Sequence, residues 1–158
     1  MMLKIDIGQQ TLSLHNTNSL IKTYPISTAK NGIGEIFGSE KTPRGWHDIF
    51  AKIGHDSPAN TVFVRRRPTG EIFSAALREQ FPQRDWILTR ILWLRGLERE
   101  KNRLRTVDTL RRYIYIHGTP DDVEMGTPGS RGCIRMRNSD LIELFDSVAP
   151  RTRVLITE

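Results

Sequence analysis

The chain has 158 residues, 37% of them apolar and 27% charged, with a formal net charge of +6 and a sequence pI of about 9.9. That length supports one domain, residues 1–158, with a hydrophobic core that needs no disulfide support. The lone cysteine excludes an internal disulfide framework, and the basic balance admits nucleic acid, anionic lipid or an acidic substrate without choosing among them.

The opening stretch, "MMLKIDIGQQTLSLHN", has no apolar run of signal-peptide length. It then supplies two alternating segments, "LKIDI" and "TLSLH", separated by Gly8-Gln9-Gln10, the pattern of a strand hairpin. "SLIKTYPIST" continues in the same mode, and Pro25 marks an edge or a bulge. Residues 30–45 are rich in glycine and read as a long irregular loop of the kind that serves a site. "TVFVRR" reads as a short strand and "RPTGE" as a turn.

"WILTRILWL" carries apolar residues on both faces and reads as a buried strand. Arg90 and Arg95 interrupt the apolar stretch around it, which is too short to span a bilayer, so no membrane partner is expected. A cytoplasmic location is expected for the sequence as it stands, and a periplasmic one if a leader has been removed. "LEREKNRLRTVDTLRR" reads as an exposed charged connection, and "YIYIHG" as a strand. "NSDLIELFDSV" is the clearest helix, with Leu141, Leu144, Phe145 and Val148 on one stripe and Asn138 or Ser139 as its cap. "TRVLIT" closes the chain as a strand, so the whole reads as a mostly-β domain with at least one helix.

The only cysteine, Cys133, lies in the glycine-bracketed stretch "GSRGCIRM", sixteen positions after His117 at the end of an apolar strand. A thiol at its ordinary pKa is mostly protonated at neutral pH, and a neighbouring imidazole can take that proton and release a nucleophile. Gly132 removes side-chain bulk beside the thiol and lets the backbone N–H groups of Gly132 and Cys133 turn toward an oxyanion. Gly118 leaves space beside His117. Ser130 can donate or accept a hydrogen bond near the pair and counts with Cys133 and His117 among the candidate catalytic residues. The residues alone leave open a small buried cysteine and a solvated histidine. The four histidines and Cys133 have no zinc-site spacing, so neither metal nor cofactor is expected.

The combination of "HGT" at 117–119, "GSRGCIRM" at 129–136, Asp140 and the terminal "TRVLI" resembles the L,D-transpeptidase catalytic domain, the YkuD domain. "IDIGQQTLSLH", "YPIST" and "KTPRGWHDI" are similar to the family's N-terminal half, so the resemblance covers nearly the whole chain. It implies an L,D-transpeptidase-like β-sandwich of mixed sheets with a helix after the cysteine. It also implies Cys133 as nucleophile and His117 as general base, with Arg135, Arg131, Gly118 and Thr119 as candidate substrate-binding residues. For Arg135 a bidentate grip on a substrate carboxylate stands beside a structural ion pair. One position departs from the pattern. The family has histidine directly before Gly-Cys, and here that residue is Arg131, a cation expected to favour the thiolate.

Such enzymes attack the carbonyl between the L-centre of the third stem residue, usually meso-diaminopimelate, and the terminal D-alanine of a peptidoglycan tetrapeptide. Water as acceptor gives a tripeptide, and an amine from a second stem gives a 3–3 cross-link. The resemblance therefore implies a stem tetrapeptide or muropeptide as partner and a carbapenem-type β-lactam as covalent inhibitor. The expected reaction is L,D-carboxypeptidase cleavage during muropeptide recycling, with L,D-transpeptidation as the alternative. A basic nucleic-acid module is a further alternative, resting on "VRRRP" and "RGLEREKNRLR". The second run mixes charge signs and no nucleic-acid motif accompanies either, so no nucleic-acid partner is expected.

Overall fold

The computed structural model describes residues 1–158. Its strands are β1 (Met2–Asp6), β2 (Thr11–Asn16), β3 (Ser19–Ser27), β4 (Gly45–Ile53), β5 (Thr61–Val64) and β6 (Arg67–Ile72). After helix α1 (Ala75–Gln80) come β7 (Ile87–Gly96), β8 (Tyr115–Gly118) and β9 (Ile134–Met136), then helix α2 (Asn138–Ser147) and β10 (Arg153–Thr157).

All ten strands join one mixed sheet in the order β4-β10-β1-β2-β3-β9-β8-β7-β5-β6, and a further β4–β7 pairing closes it into a barrel-like ring. The pairs β1–β10 and β8–β9 are parallel. The mostly-β architecture with mixed pairing and a helix after the cysteine is thus present, as one sheet folded onto itself rather than two separate layers. Closure leaves few unpaired edges, and only the β5–β6 hairpin projects from the ring.

Period-2 alternation decides what fills the interior. Leu3, Ile5, Leu12, Leu14, Ile26, Ile116, Ile134, Val154 and Ile156 are all buried in one core. Helix α2 adds Leu141, Leu144 and Phe145 to that core, and Val148 just beyond its end joins them. No helix is long and apolar enough to cross a membrane.

Local expectations failed at three places, and one strand was not expected. "RPTGE" is strand β6, and the turn before it is Arg65–Arg66, both left-handed at φ 50° and 66°. Two left-handed residues match the twist of a two-residue hairpin, but arginine gives no sequence signal for it. Asn138 does not cap α2. Its backbone is already helical, Arg137 holds the cap position, and no side chain there makes a capping bond. The segment after the glycine-rich loop, to which the sequence pattern assigns no element, is the nine-residue strand β4. Pro25 marks neither an edge nor a bulge: β3 lies inside the ring, and its register shift falls opposite Leu14 and His15.

Candidate active site

Strand register places the site. In the parallel β8–β9 pair, Ile116 faces Ile134 and His117 faces Arg135. Ile116 and Ile134 are core residues, so their neighbours Tyr115, His117, Cys133 and Arg135 turn to the other face. There Cys133 and His117 line one solvent-open cavity of about 440 Å³. Four arginines share it, Arg65, Arg66, Arg112 and Arg131, with one carboxylate, Asp85.

The imidazole of His117 is buried, and its Nδ1 lies 2.6 Å from the carbonyl oxygen of Gly118. A carbonyl only accepts, so Nδ1 carries the proton and Nε2 keeps the lone pair, the form a general base needs. Burial holds the imidazole pKa below its ordinary value, Asp85 and the Gly118 carbonyl oppose this, and Arg135 adds to it. The ring is neutral at pH 7.

Cys133 is partly exposed. Its thiol donates to the Tyr113 carbonyl at 3.4 Å and accepts the Tyr115 N–H at 3.3 Å. No hydrogen bond joins it to His117. Burial pushes the thiol pKa up to about 12; the Tyr115 N–H pulls it back and Asp85 adds to the rise. The guanidiniums that favour the thiolate are Arg135 and Arg112. Arg131, expected in that role, is exposed, makes no ion pair and is not among the charges acting on the thiol. An exposed cation is screened by water before its field reaches the sulfur.

Ser130 builds the turn that presents the thiol. Its hydroxyl donates to the Cys133 carbonyl at 2.5 Å and accepts the Gly132 N–H at 3.2 Å. Gly132 N–H is therefore already engaged, while the N–H groups of Arg131 and Cys133 in this turn have no protein acceptor. Gly132 sits at φ +132°, where an added Cβ would lie 3.3 Å from both Ile114 and the Lys41 carbonyl. Its own carbonyl accepts the Thr42 hydroxyl, which ties the turn to the glycine-rich loop.

Arg135 is not free to grip a ligand with its whole fork. One arm donates to the Gly129 carbonyl at 3.0 Å, the other to Asp85 at 3.3 Å, and Nε is buried without a partner. The structural ion pair is the arrangement found. Gly118 lines neither the cavity nor its neighbours; an added Cβ would lie 2.6 Å from the Leu88 carbonyl and strike the Asn138 side chain. That side chain is a buried hub. It accepts from Thr89 Oγ1 at 2.6 Å and donates to the Thr119 carbonyl at 3.1 Å, fixing the end of β8 where His117 stands. Thr119 lines a smaller adjoining recess of about 100 Å³.

Nothing in the sequence pattern marks Asp85, whereas Arg66 lies in the basic run "VRRRP" and Arg112 in the charged connection over 98–112, whose arginines suit the carboxylates of a muropeptide. Arg66, on the β5–β6 turn, lies over the rings of Trp93 and Tyr113 at 4.7 Å and donates to the Tyr115 hydroxyl at 2.9 Å. Arg112 donates to the carbonyls of Gly34 and Lys41 and so pins the glycine-rich loop beside the cavity. No group of three or more His, Cys, Asp or Glu side chains is placed to hold a metal ion.

A closed mixed β barrel that presents a histidine from β8 and a cysteine from the turn just before its parallel neighbour β9, both lining an arginine-rich cavity, is the frame of a thiol-bearing domain. This chain belongs to the YkuD family, the L,D-transpeptidase catalytic domain, whose model matches residues 2–156. It is 30% identical over 154 residues to the YkuD protein of Bacillus licheniformis, and 29% over 152 residues to that of Bacillus subtilis; both carry the L,D-transpeptidase name. These alignments take in 97% and 96% of this chain and 63% of each relative, so the chain spans less than two thirds of their length. Among solved structures, an L,D-transpeptidase from Mycobacterium smegmatis superposes with a TM-score of 0.58 at 16% identity, covering 99% of this chain and 58% of that one. LdtMt1, solved in complex with imipenem, gives 0.59 at 18% identity, over 99% and 58% of the two chains.

Proposed function

We propose that this chain is a cysteine enzyme that cleaves the bond before the terminal D-alanine of peptidoglycan tetrapeptides, with water as acceptor: an L,D-carboxypeptidase acting on muropeptides released during wall recycling. The observation that carries the reading is the joint lining of one cavity by Cys133, His117 and four arginines. A thiol and a neutral imidazole supply nucleophile and base, and the guanidiniums suit the carboxylates of a stem peptide.

The thiol leaves the Tyr113 carbonyl and gives its proton to Nε2 of His117 as sulfur attacks the carbonyl carbon of the third residue. The Cys133 N–H supports the resulting oxyanion. The C–N bond then breaks, and the imidazolium returns the proton to the departing D-alanine nitrogen. Water adds to the thioester with Nε2 again taking a proton, and C–S cleavage restores the thiol. Arg65, Arg66, Arg112 and Arg131 surround this centre with positive charge, which repels an incoming ammonium and leaves neutral water at an advantage.

The second reading, L,D-transpeptidation, rests on family membership. Incubation with a disaccharide-tetrapeptide, read by mass spectrometry, separates the two. Tripeptide plus D-alanine as main product, lost in Cys133→Ala, is the expected result. A dominant 3–3 dimer overturns the choice of acceptor, and turnover by Cys133→Ala overturns the mechanism. A carbapenem should add its mass to the wild type and not to Cys133→Ala.

A further inference from the structure

Three successive peptide units form the Cys133 turn, and one side chain holds the outer two. Ser130 Oγ accepts the Gly132 N–H at 3.2 Å, which fixes the unit before Gly132. The same hydroxyl donates to the Cys133 carbonyl at 2.5 Å, which fixes the unit after Cys133. The unit between them, Gly132 C=O with Cys133 N–H, is bonded to Ser130 at neither end. Its N–H has no protein acceptor, and its carbonyl accepts one hydrogen bond, from Thr42 Oγ1 at 2.9 Å. Gly132, at φ +132°, has no Cβ to resist rotation of this unit.

Thr42 is suited to hold it. The residue is fully buried, and its branched side chain has few χ1 choices. Its hydroxyl accepts the Ala29 N–H at 3.0 Å and gives its single proton to Gly132. Its own N–H donates to the Gly32 carbonyl and its carbonyl accepts the Gly34 N–H, both at 3.0 Å, so its backbone is anchored in the glycine-rich loop. A peptide unit is planar and trans, and its C=O and N–H point in opposite directions. Whatever holds the Gly132 carbonyl on one side therefore aims the Cys133 N–H to the other.

Resting on the reading given above, in which that N–H supports the oxyanion, we infer that Thr42 is a positioning residue for acyl transfer. Its hydroxyl sets the direction of the oxyanion donor and never touches substrate. The contribution is felt only as a carbonyl oxygen gains charge, so it bears on kcat and not on ground-state binding.

Thr42→Val keeps the shape and removes the hydroxyl, and Thr42→Ser keeps the hydroxyl. Three rates are compared: tetrapeptide turnover, acylation of Cys133 by a carbapenem, and alkylation of Cys133 by iodoacetamide. The first two pass through an oxyanion. In the third, sulfur displaces iodide from a methylene carbon and no oxyanion forms. Thr42→Val should lower kcat and the acylation rate by on the order of 10- to 100-fold, with KM and the alkylation rate within about threefold of wild type. Thr42→Ser should bring kcat and acylation back to within about threefold.

Equal losses in acylation and alkylation would mean that Thr42 merely keeps the thiol in place, and a raised KM at unchanged kcat would also overturn the assignment. If the wild type is acylated but cleaves no tetrapeptide, the reaction reading falls, and a selective drop in acylation in Thr42→Val still carries the role of Thr42. Absence of both reactions in the wild type overturns the two together. Should Thr42→Val fail to fold, the crystal structure of the wild-type carbapenem adduct decides. The acyl oxygen on the Cys133 N–H, with the Gly132 carbonyl still on Thr42, is the expected result; an acyl oxygen elsewhere, or a flipped Gly132–Cys133 unit, overturns the assignment.

Discussion

The thiol of Cys133 donates to the carbonyl of Tyr113 at 3.4 Å, not to the imidazole of His117 that shares its cavity. Tyr113 has left-handed backbone at φ 56°, and that conformation brings its carbonyl back toward the sulfur. The resting pair is therefore a neutral thiol beside a neutral imidazole. In the proposed mechanism, ionisation belongs to the step in which substrate arrives.

Alkylation of Cys133 by iodoacetamide tests this directly. With burial pushing the thiol up to about 12, the rate should climb about tenfold per pH unit through the alkaline range with no plateau near neutrality. Arg131→Ala should leave the profile in place, because the cations acting on the sulfur are Arg135 and Arg112. A plateau below neutral pH would mean a preformed thiolate–imidazolium pair.

Gly132→Ala should destabilise the turn that carries the thiol. The new Cβ would demand φ +132° of an alanine and press on Ile114 and the Lys41 carbonyl. The expected loss is about 1–3 kcal/mol, read as a lower urea midpoint at unchanged m-value. An unchanged midpoint would show that the loop relaxes freely.

Asn138→Ala removes the hub joining β7, β8 and α2. Thr89 Oγ1 loses its buried acceptor and the Thr119 carbonyl its side-chain donor. A cost of about 2–3 kcal/mol is expected from the polar groups left unpaired, with activity falling as the end of β8 loosens. Chemical denaturation and turnover measured on the same preparation check both parts.

Acid stability should depend on a histidine outside the site. His47 is fully buried, with Nδ1 3.0 Å from the Gly45 carbonyl and Nε2 2.9 Å from Thr109 Oγ1. Burial lowers its pKa from 6.5 to about 4. Between those values the unfolded chain binds a proton at this ring that the folded chain refuses. Stability is therefore full above pH 6.5 and drains as pH falls toward 4, by about 3 kcal/mol in all. His117, also lowered by burial, acts in the same direction. His47→Gln should flatten the profile in this window, and urea melts at several pH values would show an unchanged slope if the account is wrong.

Much of the fold was legible because alternation is a local property. Leu3 and Ile5, Leu12 and Leu14, and Ile116 all announce a buried face two residues at a time, and the α2 stripe announces itself at helical spacing. The β5–β6 turn was illegible because Arg65 and Arg66 adopt left-handed backbone without glycine or asparagine. The Asn138 side chain misled because a residue suited to capping was instead drawn into a buried network by Thr89, twenty-nine positions beyond Asn60, which also bonds Asn138.

The sequence by itself determined the family: a strand-end histidine, His117, and a glycine-flanked cysteine, Cys133, in a motif that resembles it, and the family model covers the same residues. Only the tertiary structure decided what surrounds them. Asp85 comes from the loop before β7, Arg66 from the β5–β6 turn, Arg112 from the connection before β8, and all three line one cavity. Which strands pair, and in which register, is set by closure of the whole sheet through β4 and β7. That closure sums contacts between residues far apart in the chain, so no local window of residues carries it.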